Sequence, residues 1–283
     1  MDSDRLAHIL SRLERGTDGI YVLPFSGGSS FSQSEEVRLR EAVAAREYPN
    51  PLAEVARHHS IPVMDCEVVR FLEGIPEGGI IVDVGGCWGW HWRNVATLRP
   101  DVAVIIVDFV KANLEHARLM LADLLDHQAF LVHGDGSCLP FPAEVFDGYW
   151  SVQTLQHIPD FACCVREARR TLKRGGVFAN YSLNRAWLVE MIYRAVGRAY
   201  HVEGMVPGAF YLARASDQQA GIVEEAMGGT VASRYTEVLF QPPFGLWTGG
   251  ADSLLGRLDA CLSGSAFFLR WVARQRSFHA RRM

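Results

Sequence analysis

The chain has 283 residues, with 49% hydrophobic and 21% charged, which excludes wholesale disorder and a fibrous repeat. Its 28 Lys and Arg against 32 Asp and Glu leave a net charge of −4, so no basic footprint for nucleic acid covers the surface. The most apolar runs stop at Asp83 and Asp108, far short of the roughly 20 apolar residues of a spanning helix, and charges scattered over residues 2–15 exclude a secretory signal there.

Leu6, Leu10 and Leu13 share one helical face and predict a short amphipathic helix over 4–15. Residues 16–31, rich in Gly and Ser, read as loop. Ser32 followed by Glu35 fits a capping box that opens a helix to about Arg46. Tyr48-Pro49-Asn50-Pro51 breaks it, and 52–73 reads as one or two further helices. Residues 1–75 are therefore expected to form a helical N-terminal extension, and 76–283 the main domain.

The pattern then changes. Short apolar, β-branched runs occupy 79–86, 102–109, 129–135, 147–153 and 176–183, with helical stretches at 89–99, 111–125 and 160–172. Continuous apolar runs are strands covered on both faces. Their alternation with helices predicts an α/β fold, a doubly wound, mostly parallel sheet with right-handed crossovers. Residues 184–212, rich in aromatics, read as an insertion folded over the sheet's open end. Residues 216–227 read as a helix, with Ser216 as its N-cap. Residues 231–240 and 267–275 read as strands pairing antiparallel at the sheet edge, which makes seven strands. Six cysteines without a CxxC pair or matching His spacing give neither a disulfide framework nor a metal site. They read as reduced thiols of a cytoplasmic protein.

Ligands of open α/β sheets bind beyond the carboxyl ends of the strands. Asp83-Val84-Gly85-Gly86-Cys87-Trp88-Gly89 ends the first strand of this sheet, Asp108 the second, Gly134-Asp135-Gly136 the third, and Ser151-Val152-Gln153 the fourth. Glycines at the first end permit a tight turn and close approach of a ligand. A carboxylate at Asp108 can accept from a ribose diol, and one at Asp135 from an exocyclic amine. Nicotinamide and S-adenosylmethionine sites share this layout. The dinucleotide pattern G-x-G-x-x-G is broken, because Cys87 stands where a pyrophosphate needs bare backbone. Asp83 would repel a pyrophosphate but attract the ammonium of a methionine moiety.

At this point the sequence resembles the class I S-adenosylmethionine-dependent methyltransferases, in the small-molecule branch that includes the ubiquinone and menaquinone enzymes. The resemblance runs from about Ile80 to Leu183, through VDVGGCWG, IIVDFV, GDGSCLPFPAEVFDGYWSVQTLQHIPD and REARRTLKRGGVFA. It implies a Rossmann-like methyltransferase fold and S-adenosylmethionine as cofactor. Asp83, Gly85, Cys87 and Gly89 would form the first cofactor loop, with Cys87 replacing the family's usual glycine. Asp108 would hold the ribose and Phe109 flank the adenine. Asp135 would accept from the adenine amine, with Gly136 lending backbone. Ser151 and Gln153 would line the methionine end. His157 would lie near the acceptor as general base, ahead of His201, Tyr181 and Tyr21.

Plainer readings stand beside these. Asp108 can cap a helix, Asp135 can serve a turn, His157 can cap the loop before Pro159, Asp147 is structural, and His58-His59 reads as a solvated face. The expected function is methyl transfer to a small or medium, partly apolar organic acceptor, by a monomer or homodimer without nucleic acid or metal. The alternatives are a nicotinamide-dependent oxidoreductase and a non-catalytic S-adenosylmethionine-binding protein. The second of these is kept open by Cys87.

Overall fold

The computed structural model describes residues 2–22, 41, 48–139, 141–158, 160–197, 216–241 and 245–283. The helix expected to open at Ser32, most of the insertion expected at 184–212, and His201 lie outside the described residues.

The strands are β1 (Glu14–Arg15), β2 (Tyr21–Val22), β3 (Ile80–Val84), β4 (Ala103–Asp108), β5 (Ala129–His133), β6 (Phe146–Val152), β7 (Leu172–Leu183), β8 (Ala232–Thr236) and β9 (Gln275–Arg281). The helices are α1 (Ser3–Leu10), α2 (Pro51–His58), α3 (Ile61–Glu73), α4 (Val95–Leu98), α5 (Lys111–Met120), α6 (Phe161–Thr171), α7 (Trp187–Ala195), α8 (Ser216–Met227), α9 (Gly245–Thr248) and α10 (Leu254–Leu262). One sheet holds all nine strands in the order β1-β2-β5-β4-β3-β6-β7-β9-β8. From β2 to β7 every neighbouring pair is parallel, whereas β9 runs antiparallel to both β7 and β8.

The strand pleat sorts the core into two layers. Ile80, Val82 and Val84 of β3 join Ile105 and Val107 of β4 on the face packed by α1, α6 and α8, through Leu6, Phe161, Val165 and Met227. Ile81, Val104, Ile106, Trp150 and Tyr181 face the other way, against Val68 and Phe71 of α3 and Leu114 of α5. The N-terminal residues thus contribute to both layers, with Leu6 and Ile9 on one side and Val55 to Leu72 on the other.

The class of fold expected from the sequence holds, with corrections. Among the described residues the sheet has nine strands rather than seven. The extra pair, β1 and β2, is a two-residue ribbon attached to the edge at β5; β1 takes the end of the helix expected over 4–15, and β2 lies in the expected Gly-rich loop. The final strand was misplaced. Residues Phe267–Trp271 form a 3-10 turn, and the strand follows at Gln275–Arg281. The helix expected over 89–99 is a 3-10 turn at Trp90–Trp92 followed by the single turn of α4. Of the paired histidines read as solvated, His58 is exposed but His59 is half-buried, with Nδ1 shut off from solvent.

Asp147 behaves as the sequence indicated. Its Oδ2 accepts from the Ile80 N–H at 2.8 Å and from Arg5 Nη2 at 2.7 Å, and its Oδ1 lies 3.1 Å from Lys173 Nζ. It therefore fastens α1 and the start of β7 to the entry of β3. Asp147→Ala is expected to lower stability by about 1.5–3 kcal/mol, the scale of charge-assisted hydrogen bonds, read as a drop in the urea midpoint. A second fastening is the buried pair Arg274 and Glu237, 2.5 Å apart. Glu237 Oε1 also accepts from the Ser60 N–H at 2.9 Å, tying the end of β8 to the start of α3.

Candidate active site

Strand order reverses between β3 and β6: β4 and β5 lie to one side of β3, and β6 and β7 to the other. At such a switch point the loops leaving adjacent strands part and open a crevice. Backbone contacts knit the strand ends on one side. The Gly85 N–H donates to the Val107 carbonyl at 2.7 Å and the Gly134 N–H to the Asp108 carbonyl at 3.0 Å. The Cys87 N–H donates to Asp108 Oδ2 at 2.9 Å. The Phe109 carbonyl lies 3.1 Å from His133 Nε2 at the end of β5. A Cβ on Gly136 would come within 2.4 Å of Val84 Cγ1. Asp83, Gly85, Cys87, Asp108, Phe109, Asp135 and Gly136 are thus brought to one edge. Gly89 follows, closed over by Leu121, whose Cδ1 would lie 2.6 Å from an added Cβ.

Asp83 is 1% exposed. Its Oδ2 accepts from the Trp92 indole N–H at 2.7 Å, while Oδ1 is buried without a partner. Burial pushes the carboxyl up to about 7, the Asp108 charge adds to that, and the indole bond opposes it. Asp108 is also buried. Its Oδ1 accepts from the Val110 N–H at 2.8 Å and from Asn113 Nδ2 at 3.2 Å. It therefore both opens α5 and steadies the glycine loop. Asp135 is half-buried, and its Oδ1 accepts from the Ser137 N–H and hydroxyl, each at 2.8 Å.

On the β6 side, Ser151 is fully buried and its hydroxyl donates to the Val84 carbonyl at 2.8 Å. Gln153 follows in the left-handed region, φ +50°, with its side-chain Nε2 buried and unpartnered. His157 ends the 3-10 turn Leu155–His157. Its Nε2 is 3.3 Å from Gln156 Nε2, and Gln156 Oε1 accepts from the Leu183 N–H at 2.7 Å. Gln156 so fixes the histidine relative to the end of β7.

Three participants escaped sequence reading. Trp92 and His91 sat in the 89–99 stretch, which reads as helix. Thr154 carried no spacing signal, yet its hydroxyl donates to the Gly85 carbonyl at 3.1 Å. Cys87, at φ +51°, occupies the left-handed conformation that favours glycine. Cys87→Gly is expected to stabilise the chain by about 0.5–1 kcal/mol, the left-handed strain less the entropy of glycine, seen as a higher urea midpoint.

The order β5-β4-β3-β6-β7-β9-β8 and the antiparallel β9, with acids at three adjacent strand ends, define a Rossmann-like fold of the kind solved methyltransferases share. Residues 82–180 match the family model described as a methyltransferase domain. That segment is a methyltransferase domain, and S-adenosylmethionine is the cofactor of its class. Among relatives, 2-methyl-6-phytyl-1,4-hydroquinone methyltransferase 1 of Oryza sativa subsp. japonica is 34% identical over 97 residues, 34% of this chain and 28% of that protein. Demethylmenaquinone methyltransferase of Roseiflexus castenholzii is 28% identical over 173 residues, 56% of this chain and 71% of that one. A Haloferax volcanii methyltransferase, solved in complex with the Trm112 methyltransferase activator, shares the fold at TM-score 0.58 and 16% identity, over 86% of this chain and 96% of that one. The match thus spans well under two thirds of the rice relative's length. Among the described residues, no helix is long and apolar enough to cross a membrane. Within the same residues, no group of three or more His, Cys, Asp or Glu gathers as for a metal ion.

Proposed function

We propose that this chain transfers the methyl group of S-adenosylmethionine to a small or medium, partly apolar organic acceptor. The observation that carries the reading is the unpartnered Oδ1 of the buried Asp83, at the edge shared with Asp108 and Asp135. An isolated buried carboxylate is costly unless a cation or donor meets it. The ammonium of the methionine moiety is such a partner.

In this reading the Gly85, Cys87 and Gly89 turn gives backbone to the cofactor, and Asp108 holds the ribose hydroxyls. Phe109 flanks the adenine, and Asp135 with Gly136 reads its amine. Gln153 offers its free amide N–H to the methionine end, while Ser151 braces Val84 beneath it. Bound S-adenosylmethionine supplies a methyl carbon already activated on a sulfonium, so the protein's task is alignment and exclusion of water. His157 takes the proton of a hydroxyl acceptor, exchanging its Gln156 contact for it. His157→Ala is expected to lower turnover tenfold or more and leave cofactor affinity unchanged, measured by initial rates and by calorimetry.

On a domain spanning 76–283, the acceptor lies between the described parts of the 1–75 extension and of the stretch that follows β7. The two relatives act, by name, on a phytyl hydroquinone and on demethylmenaquinone, which supports a ring-bearing apolar acceptor. The protein works in the cytoplasm as a monomer or homodimer, without nucleic acid. The test is a transfer screen with methyl-labelled S-adenosylmethionine across phenols, amines and activated carbons. Label moving to a phenol or activated carbon is the expected result. Transfer confined to polar sugars or nucleic acid would overturn it.

A further inference from the structure

Beside Asp83, on the sheet face covered by α3, a chain of aromatic rings carries polar atoms that the described residues leave unsatisfied. His91 is only 6% exposed, yet neither Nδ1 nor Nε2 has a hydrogen-bond partner. Its ring stacks on Trp90, centroids 4.0 Å apart, and meets the fully buried Trp150 edge-on at 5.8 Å. Trp150 Nε1 is unpartnered as well. The half-buried His59 lies 5.7 Å from Trp90, centroid to centroid, and its Nδ1 is also buried without a partner. Buried polar atoms are almost always bonded to something. Four orphans on three neighbouring rings point to a ligand.

Their position ties them to the site. Trp92, on the same 3-10 turn as His91, binds Asp83, and Asp83 faces Trp150 across the β3–β6 register. Gln153, with its own free amide nitrogen, lies three residues beyond Trp150.

Their chemistry narrows the ligand. Burial and the Arg93 charge push His91 down to about 3, so its ring is neutral at physiological pH. A neutral imidazole has one N–H to give and one lone pair to accept with, and indole has one N–H. None of these three rings brings a net charge to hold an ion, so the ligand group that meets them is an uncharged donor or acceptor. We propose that His91, Trp150 and His59 bind the uncharged hydroxyl or carbonyl of a ring-bearing methyl acceptor. This rests on the methyl-transfer reading above and specifies its acceptor.

The test uses the full chain with S-adenosylhomocysteine, titrated by calorimetry and by NMR on nitrogen-labelled histidine with phenol, benzoate and toluene as probes. Phenol should bind more tightly than benzoate and shift the His91 ring nitrogens. His91→Phe keeps a stacked ring and removes both nitrogens. It should weaken phenol about tenfold or more while leaving toluene and S-adenosylhomocysteine unchanged. His91→Asn should restore part of the loss. The proposal is overturned if His91→Phe binds phenol as the parent does, if benzoate binds the parent better than phenol, or if His91→Phe loses phenol and S-adenosylhomocysteine together. Phenol binding that depends on His91 without any S-adenosylhomocysteine binding strikes only the methyl-transfer reading. The converse strikes only this proposal.

Discussion

The affinity for S-adenosylmethionine is expected to climb about tenfold per pH unit up to pH 7 and then level off. Burial raises the Asp83 carboxyl to about 7, helped by the nearby Asp108 charge. Only its ionised form attracts an ammonium group. At pH 5 about one carboxyl in a hundred is ionised, so affinity there should be about a hundredfold below the plateau. Binding near pH 6.5 should release a proton, measurable by calorimetry in buffers of differing ionisation enthalpy. Asp83→Asn keeps an acceptor for Trp92, so the fold is retained, but the pH dependence vanishes. Plateau affinity falls by about 1.5–3 kcal/mol. The same carboxyl gives the unliganded chain a signed stability profile. Its folded pKa lies above the unfolded value near 4, so the folded state holds the proton more tightly between pH 4 and 7. Stability therefore falls as pH rises through that window, by up to about 4 kcal/mol. Urea midpoints should show this fall in the parent and a flatter profile in Asp83→Asn.

Gly85→Ala is expected to destabilise by about 2–5 kcal/mol. Gly85 has φ +73°, and an added Cβ would lie 2.1 Å from both Thr154 Cγ2 and Oγ1, and 2.4 Å from Thr154 Cβ. The left-handed backbone accounts for about 1–2 kcal/mol of the loss and overpacking for about 1–3 kcal/mol. Adding Thr154→Gly should recover the packing part and leave the backbone part. Thr154→Ala should recover little, because its Cβ stays in the way. Chemical denaturation of the single and double variants separates the two.

The fold was legible where burial is two-sided. β3, β4 and β6 are buried at every position, so their apolar runs announced parallel strands. β9 was obscured because Gln275, Arg276 and His279 hide an alternating strand behind polar side chains, while the apolar Phe267 and Phe268 next to it drew the strand forward and are in fact exposed. β1 and β2 have two residues each and no periodicity to detect. At the site, Asp83, Asp108 and Asp135 were visible because each ends an apolar run. Trp92 and Thr154 were invisible because their roles come from tertiary contact: Trp92 meets Asp83 through a turn read as helix, and Thr154 packs on a glycine 69 residues away. Ser151 was found by position, but only the structure shows its hydroxyl committed to Val84.

Calorimetric titration of the purified chain with S-adenosylmethionine at pH 7.5, followed by competition with S-adenosylhomocysteine, tests the central claim most directly. The structure predicts saturable binding at one site per chain, displaced by the competitor and weakened in Asp83→Asn. No heat of binding, or binding unaltered by loss of the Asp83 charge, would contradict it.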